Sequence, residues 1–249
     1  MKIIKYLVLI ISMQAILSCV PSKEIAYFQE IDDAMMNDAL INLETKIKVD
    51  DLLTINVAAL DPEASIPFNL MESPIGGMGR PLSYLVDADG ELNFPVLGKI
   101  KVAGLTTKEL TDTLGEKLSK FIINPVVNIR LINFRVTVLG EVKAPGMYTI
   151  PNERISILEA IGMAGDLTIQ GKRSSVLLIR EQEGKRVKIP INLTSEHLLN
   201  SPYYYLAQND VIYIEPNKAK RNSSAVGANT GVILSSISTL ISIIAILTR

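Results

Sequence analysis

Residues 84–114 read YLVDADGELNFPVLGKIKVAGLTTKELTDTL. Tyr84-Leu85-Val86 and Glu91-Leu92-Asn93-Phe94 are short strand-like runs on either side of Asp87-Ala88-Asp89-Gly90, a turn composition, so the segment predicts a hairpin. Gly98 to Gly104 adds a short strand. Thr106 and Glu109 then form a T-x-x-E capping box, and Leu110, Leu114, Leu118 and Phe121 supply the apolar face of a helix. Pro125 follows, and Val126 to Leu131 alternates as a strand. Upstream, Thr45 to Ala58 predicts strand, turn and strand around Val49-Asp50-Asp51. Residues 61–80 carry Pro62, Pro67, Pro74, Gly76, Gly77 and Gly79 and predict a long loop.

A second unit starts near Phe134. Val136 and Val138 lead into Gly140-Glu141-Val142-Lys143-Ala144-Pro145-Gly146-Met147-Tyr148, a strand–turn–strand signal with Pro-Gly at the turn. Ser156 to Met163 predicts a short helix with a second capping box, Ser156 and Glu159, closed by Gly162 and Gly165. Val176 to Ile179 and Val187 to Ile191 flank a turn at Glu183-Gly184, and Asp210 to Ile214 is a final apolar strand. This order suits a small β-grasp unit, and the fold class is α+β.

The 249 residues carry 25 Lys plus Arg against 26 Asp plus Glu, a net charge of −1, which argues against a nucleic-acid partner. Apolar residues make up 48%, so the chain is not disordered, and one Cys rules out an internal disulfide. Two ends hold the excess of apolar residues. Lys2 and Lys5 precede an apolar run from Tyr6 to Leu17, which reads as a signal peptide over residues 1–18. It ends in Ile16-Leu17-Ser18-Cys19, which resembles a bacterial lipobox and implies that Cys19 becomes a lipidated (palmitate-bearing) N-terminus. At the other end, no residue from Asn222 to Thr248 is charged. A helix of that length would be about 40 Å long at about 1.5 Å per residue, against a hydrocarbon core of about 30 Å. It predicts a C-terminal membrane-spanning helix. Ser235, Ser238, Thr239 and Ser242 fall on one small, hydroxyl-bearing stripe, either a helix-packing face or the lining of a pore.

Several residue groups invite chemistry. Asp87 and Asp89 suit a hairpin turn better than a Ca²⁺ loop, since later ligands are missing. Gly76 to Arg80 has no flanking strand and helix and reads as a loop, not a phosphate cradle. Adjacent Asp50 and Asp51 would point to opposite faces of a strand, so they read as turn or surface acids. His197 lies in a polar stretch without triad partners. Tyr203-Tyr204-Tyr205 offers either a carbohydrate surface or packing under a neighbouring strand.

The stretch from Tyr84 to Thr106, with its following helix, resembles the polysaccharide biosynthesis/export domain. GEVKAPGMYTI and ISILEAIGMAGDL, within Phe134–Leu167, resemble the soluble-ligand-binding β-grasp (SLBB) domain. Behind a lipobox, the pair resembles the outer-membrane polysaccharide export lipoproteins of Gram-negative bacteria. The resemblance implies a leader at 19–42, an export domain at 43–132, one SLBB domain at 133–216, and a linker with the C-terminal helix at 217–249. It implies no catalysis and no cofactor or metal. It also implies a homo-oligomeric ring carrying capsular or exopolysaccharide, anchored in outer-membrane lipid, with a periplasmic body. The partner would be an inner-membrane co-polymerase or chain-length regulator. The hairpin residues Gly140, Glu141, Pro145, Gly146 and Tyr148 would lie at subunit contacts. The alternative is a periplasmic glycan-binding lipoprotein without a pore; a glycan-processing enzyme is disfavoured, because no acid pair stands out.

Overall fold

The computed structural model describes residues 25–29, 45–72, 79–182, 184–225 and 230–247, and its architecture is α+β. The first unit is built around β1 (Leu52–Ala58), which buries Leu53, Ile55 and Val57 on one face. A one-turn helix α1 (Pro62–Ser65) and a 3-10 turn follow, then the paired β2 (Met71–Glu72) and β3 (Arg80–Pro81). Next come β4 (Ser83–Leu85), β5 (Glu91–Phe94), β6 (Gly98–Lys101), α2 (Thr107–Leu118) and β7 (Val126–Leu131). β1 is the centre of an antiparallel sheet in the order β4-β1-β7, and β5 pairs with β6.

Helix α2 starts where its capping box says it should. Thr106 Oγ1 accepts from the Glu109 amide at 3.1 Å, and the Glu109 carboxylate accepts from the Thr106 amide at 2.8 Å. Leu110, Leu114 and Leu118, each four residues apart, are fully buried. Phe121 lies beyond the helix end and stays 57% exposed, tilted against Phe68; Ile122 enters the core in its place.

Some expectations for this unit give way. Tyr84 to Phe94 is not one ladder: β4 pairs with β1 (Leu52 opposite Leu85), while β5 takes β6. Alternation marks a strand but not its partner. The Asp87–Gly90 turn is present, and Tyr84 still stacks on Phe94 at 5.6 Å. The strand before Asp50 shrinks to a single bridge, Lys46 with Thr106. Part of the long loop is structured, because Asp61 caps α1 by accepting from the Glu63 amide and Pro62 stands at its first turn. Residues 73–78, including Pro74, Gly76 and Gly77, lie outside the described residues.

The second unit runs β8 (Arg135–Gly140), β9 (Gly146–Thr149), α3 (Ile157–Met163), β10 (Gly171–Gln182), β11 (Lys185–Ile191) and β12 (Val211–Pro216). Its sheet order is β11-β10-β12-β8-β9, with β12 parallel to β8 and the other neighbours antiparallel. The Ser156/Glu159 box caps α3, with the Ser156 amide 2.7 Å from the Glu159 carboxylate. Buried residues of both units form one contiguous apolar cluster.

Polar side chains close the seam between the units. Asn133 Oδ1 accepts from the Leu52 amide at 2.9 Å, and its Nδ2 donates to Asp50 O. Gln208 binds Asn133 O through Nε2 and takes the Arg135 amide on Oε1. Glu153 accepts from Leu131 N and Thr107 Oγ1, both at 3.0 Å.

After α4 (Lys218–Ala225) the chain ends in α5 (Thr230–Leu247). Among the described residues no helix is long and apolar enough to cross a membrane, so the expected C-terminal span is not supported. α5 has 18 residues, at the short end of the range of about 17–25 for a spanning helix, and Ser235, Ser236, Ser238, Thr239 and Ser242 interrupt its apolar run.

Two tests follow from the packing. Arg180 and Asp210 form a buried ion pair with a closest approach of 2.7 Å, and removing one partner of such a pair costs about 3–5 kcal/mol. Asp210→Asn should lower the melting temperature by about 10 °C at about 2–4 °C per kcal/mol; a loss under about 2 °C would show that the pair is not structural. Gly140 sits at φ +95°, and a Cβ there would stand 2.0 Å from Ile214 O. Gly140→Ala should cost more than about 1 kcal/mol, whereas Gly146→Ala, which meets nothing within 4 Å, should stay within about 0.5 kcal/mol. Equal effects in a urea melt would contradict this assignment.

Candidate functional site

A cleft of about 740 Å³ opens at the seam between the units, within the usual range for ligand sites of about 300–1,000 Å³. Lys46 and Lys48 enter it from the first unit. Arg154, Lys185, Tyr203 and Tyr205 enter from the second. The loop that carries the tyrosines is fixed by its backbone. Tyr204 O accepts from Ile157 N at 2.8 Å, Leu206 N donates to Ile155 O at 2.9 Å, and Tyr205 bridges Ser156. Arg180 Nη2 also donates to Tyr205 O at 3.0 Å while its guanidinium grips Asp210. The Arg154 guanidinium lies 3.7 Å over the Tyr205 ring, and Arg180 lies 5.6 Å from the Tyr203 ring. Tyr204 packs edge-on against Tyr205 at 5.0 Å and against the core. Packing is thus the part of the expectation that the geometry meets: Tyr203 and Tyr204 pack against the core, and Tyr203 and Tyr205 also line the cleft.

The hairpin residues come together as one surface. Glu141 O accepts from the Thr168 amide, and its carboxylate accepts from Thr168 Oγ1 at 3.0 Å. Ala144 N donates to Ala164 O, and the Tyr148 hydroxyl donates to Ala144 O, so the loop is clamped to the end of α3. β9 is an edge strand, with Pro145 and Met147 exposed beside it. Gly140 is needed where β8 meets β12. Gly146 has no positive φ and needs no glycine for its backbone.

On α5 the stripe hydroxyls turn back on their own helix. Ser235 Oγ donates to Val232 O, Ser238 Oγ and Thr239 Oγ1 to Ser235 O, and Ser242 Oγ to Ser238 O, all at 2.8–2.9 Å. Their hydrogen bonds are satisfied without a neighbour. The same helix leaves Leu240, Ile241 and Ile246 exposed. Cys19 and the signal peptide lie outside the described residues.

The remaining acids are occupied locally. Asp50 stands at φ +67° in a turn, and Asp51, only 1% exposed, accepts from Lys48 N at 2.8 Å; it is a buried turn acid rather than a surface one. Burial raises its pKa above the usual aspartate value. Asp87 Oδ1 accepts from the Asp89 and Glu91 amides, as a turn residue does. The amides of Thr106 and Ser156 hold Glu109 and Glu159 below the ordinary glutamate range. His197 is exposed. One contact had no sequence signal: Tyr27 donates to Asp166 Oδ1 at 2.5 Å, with Arg173 5.4 Å from its ring. Burial, then the Asp166 bond, hold that phenol well above the usual tyrosine pKa.

Comparison with known proteins matches the two units in turn. The model described as polysaccharide biosynthesis/export protein matches residues 41–132, and the SLBB domain matches residues 135–190. The EPS I polysaccharide export outer membrane protein EpsA of Ralstonia nicotianae is 30% identical over 144 residues, 56% of this chain and 37% of that protein. Its namesake from Ralstonia solanacearum is 28% identical over 139 residues, 54% of this chain and 36% of that protein. The exopolysaccharide production protein ExoF of Rhizobium meliloti is 32% identical over 89 residues, 34% of this chain and 21% of that protein. The chain thus spans little more than a third of the length of the two EpsA proteins and about a fifth of ExoF. The two matches stand adjacent and in order over the two folded units, a polysaccharide biosynthesis/export domain followed by an SLBB domain.

Proposed function

We propose that the protein is a non-enzymatic component of polysaccharide export, placed at the outer membrane of a Gram-negative bacterium. The observation that carries this reading is the ordered pairing of an export domain with an SLBB domain in a chain whose relatives bear export names. Acylated Cys19 is the anchor, because two or more acyl chains hold a protein stably where one is marginal. The body, an export domain over 43–132 and a single β-grasp unit over 133–216, forms a ring in the periplasm. A hydrated glycan cannot cross hydrocarbon without a water-filled path, and a chain of this size supplies one only as an oligomer. The edge strand β9 and the clamped loop at Glu141, Pro145 and Tyr148 form the subunit contact. An unpaired edge is a ready template for a neighbouring copy. The stripe at Ser235, Ser238, Thr239 and Ser242 is where α5 helices of neighbouring copies pack. An inner-membrane co-polymerase or chain-length regulator meets the periplasmic end.

A second reading, a glycan-binding lipoprotein without a pore, draws on the stripe hydroxyls, which are satisfied within their own helix.

The test has two parts. A deletion strain should lose surface polysaccharide and regain it with the wild-type gene. Protein extracted in mild detergent should migrate as a ring on size-exclusion chromatography with light scattering. Ser235→Leu with Ser242→Leu should impair export without loss from the membrane; full export from that variant would leave the stripe without a role. A monomer that sustains export would reject the ring. Cys19→Ser should abolish labelling by a fatty-acid analogue, and unchanged labelling would remove the lipid anchor.

A further inference from the structure

We propose that the loop from Asp166 to Lys172, together with helix α4, is a docking surface for an anionic phospholipid bilayer. This goes beyond the export reading and rests on one part of it, the acylated Cys19.

The argument starts from where the two ends of the chain meet the body. The leader docks on the second unit: Tyr27 donates to Asp166 Oδ1 at 2.5 Å, and Gln29 N donates to Thr194 O at 2.9 Å. The other end leaves from the same loop. Gly171 stands opposite Pro216 at the end of β12, and Asn217 N donates to Gln170 O at 2.7 Å. Asn217 Oδ1 then accepts from the Lys220 amide at 3.0 Å, which starts α4 beside the loop. Arg173 holds the loop from within: it is buried, its Nη1 donates to Thr168 O and Gly171 O, and its guanidinium lies 5.4 Å from the Tyr27 ring. Tyr27 comes eight residues after Cys19, so even a fully extended chain puts no more than about 28 Å between them. Acyl chains on Cys19 therefore keep this loop close to a lipid surface, from whichever side the body approaches it.

The second element is the chemistry of that surface. Ile169 stands out of the loop 69% exposed, and Met163, at the end of α3, is 45% exposed. Lys143 adjoins them, its amide donating to Asp166 O at 3.1 Å, and Lys172 follows the loop. Helix α4 adds Lys218, Lys220 and Arg221 and no acid. The acids of the same stretches are Glu141, Asp166 and Glu215, and none follows Glu215 in the sequence. Cations therefore outnumber acids around an apolar tip, and they do so most strongly on α4. Such a surface suits the headgroup level of an anionic bilayer, where apolar side chains dip in and lysines meet phosphate. The short reach from Cys19 makes lipid, rather than a protein partner, the occupant.

The test uses the full-length protein reconstituted into vesicles of phosphatidylethanolamine and phosphatidylglycerol that contain nitroxide-labelled lipid. A fluorescent label is placed on one introduced cysteine. Cys19 is the chain's single cysteine, so acylation leaves only the introduced thiol to react. Ile169→Cys reports on the loop. Lys185→Cys is the control: it pairs with Gln182 at the other end of β10, roughly 35 Å from Gly171 at about 3.3 Å per residue. The label at 169 should be quenched and the label at 185 should not. Quenching at 169 should fall about twofold or more when phosphatidylcholine replaces phosphatidylglycerol, and equally with Lys218→Glu and Lys220→Glu. Tyr27→Ala should reduce it too, with fatty-acid labelling and the circular dichroism spectrum unchanged. An unquenched label at 169, equal quenching at both sites, quenching indifferent to phosphatidylglycerol and to the double variant, or a Tyr27→Ala protein quenched like its parent would each overturn the inference. So would a photocrosslinker at Ile169 that captures a protein in cells rather than lipid, which would make the loop a partner site. If wild-type protein takes up the thiol label, Cys19 is free, and the acyl-anchor reading falls together with this inference. If Cys19 is acylated and the label at 169 stays unquenched, the anchor stands and this inference alone falls.

Discussion

The ion pair between Arg180 and Asp210 sits at the root of a chain of contacts that reaches across the molecule. Asp210 accepts from Arg180 and, at 2.7 Å, from the Ala207 amide; Arg180 in turn holds Tyr205 O. Together they fix the loop between β11 and β12 from its interior. That loop carries Gln208, which binds Asn133 and Arg135, and Asn133 holds both Leu52 and Asp50. A pair buried in the second sheet thereby sets the position of β1 in the first. A buried pair is weak evidence for net stability, since desolvation offsets much of its attraction. Its physical consequence here is geometric. Loss of either partner leaves a charge in the core and frees the loop that forms one wall of the cleft.

The two units share a core, so their seam is not a linker. β7 ends at Leu131 and β8 begins at Arg135, leaving three residues to turn the chain. Asn133 is one of them, and its amide can donate and accept at once. Each end of its side chain satisfies a backbone group of the turn that opens β1. Glu153 does the same from the other side, taking Leu131 N at the end of β7 and Thr107 at the start of α2. Such a seam resists rotation of one unit on the other, because any shear would strip hydrogen bonds from half-buried backbone.

Local signals in the sequence were legible, and long-range ones were not. Both capping boxes stand where Thr106/Glu109 and Ser156/Glu159 place them, since a cap is decided within four residues. The β10–β11 hairpin and the strand at Val211 follow from alternation and from the Gly184 turn. Pairing of β4 with β1 spans about thirty positions of sequence, and alternation says nothing of it. The cap at Asp61-Pro62 was a local signal too, hidden among the prolines and glycines around it. Of the site, the tyrosine run was visible as a cluster. The lysines that share its cleft were not, because Lys46 and Lys185 are far apart in sequence. Tyr27 meeting Asp166 had no signal at all, since nothing in a short leader names its partner.

Charge placement separates what holds the fold from what faces outward. The carboxylates of Glu109, Glu159 and Asp51 are taken up by backbone amides at helix starts and a turn. For the two glutamates the folded pKa is lowered, so their stabilisation is present above the ordinary glutamate value and is lost as pH falls through the lowered one. Asp51 runs the other way: burial raises its pKa, so its ionised form works against the fold as pH rises through that raised value. The helix starts and the turn that opens β1 therefore answer acid in opposite directions: the caps weaken as pH falls through the lowered glutamate values, while protonation relieves the buried Asp51.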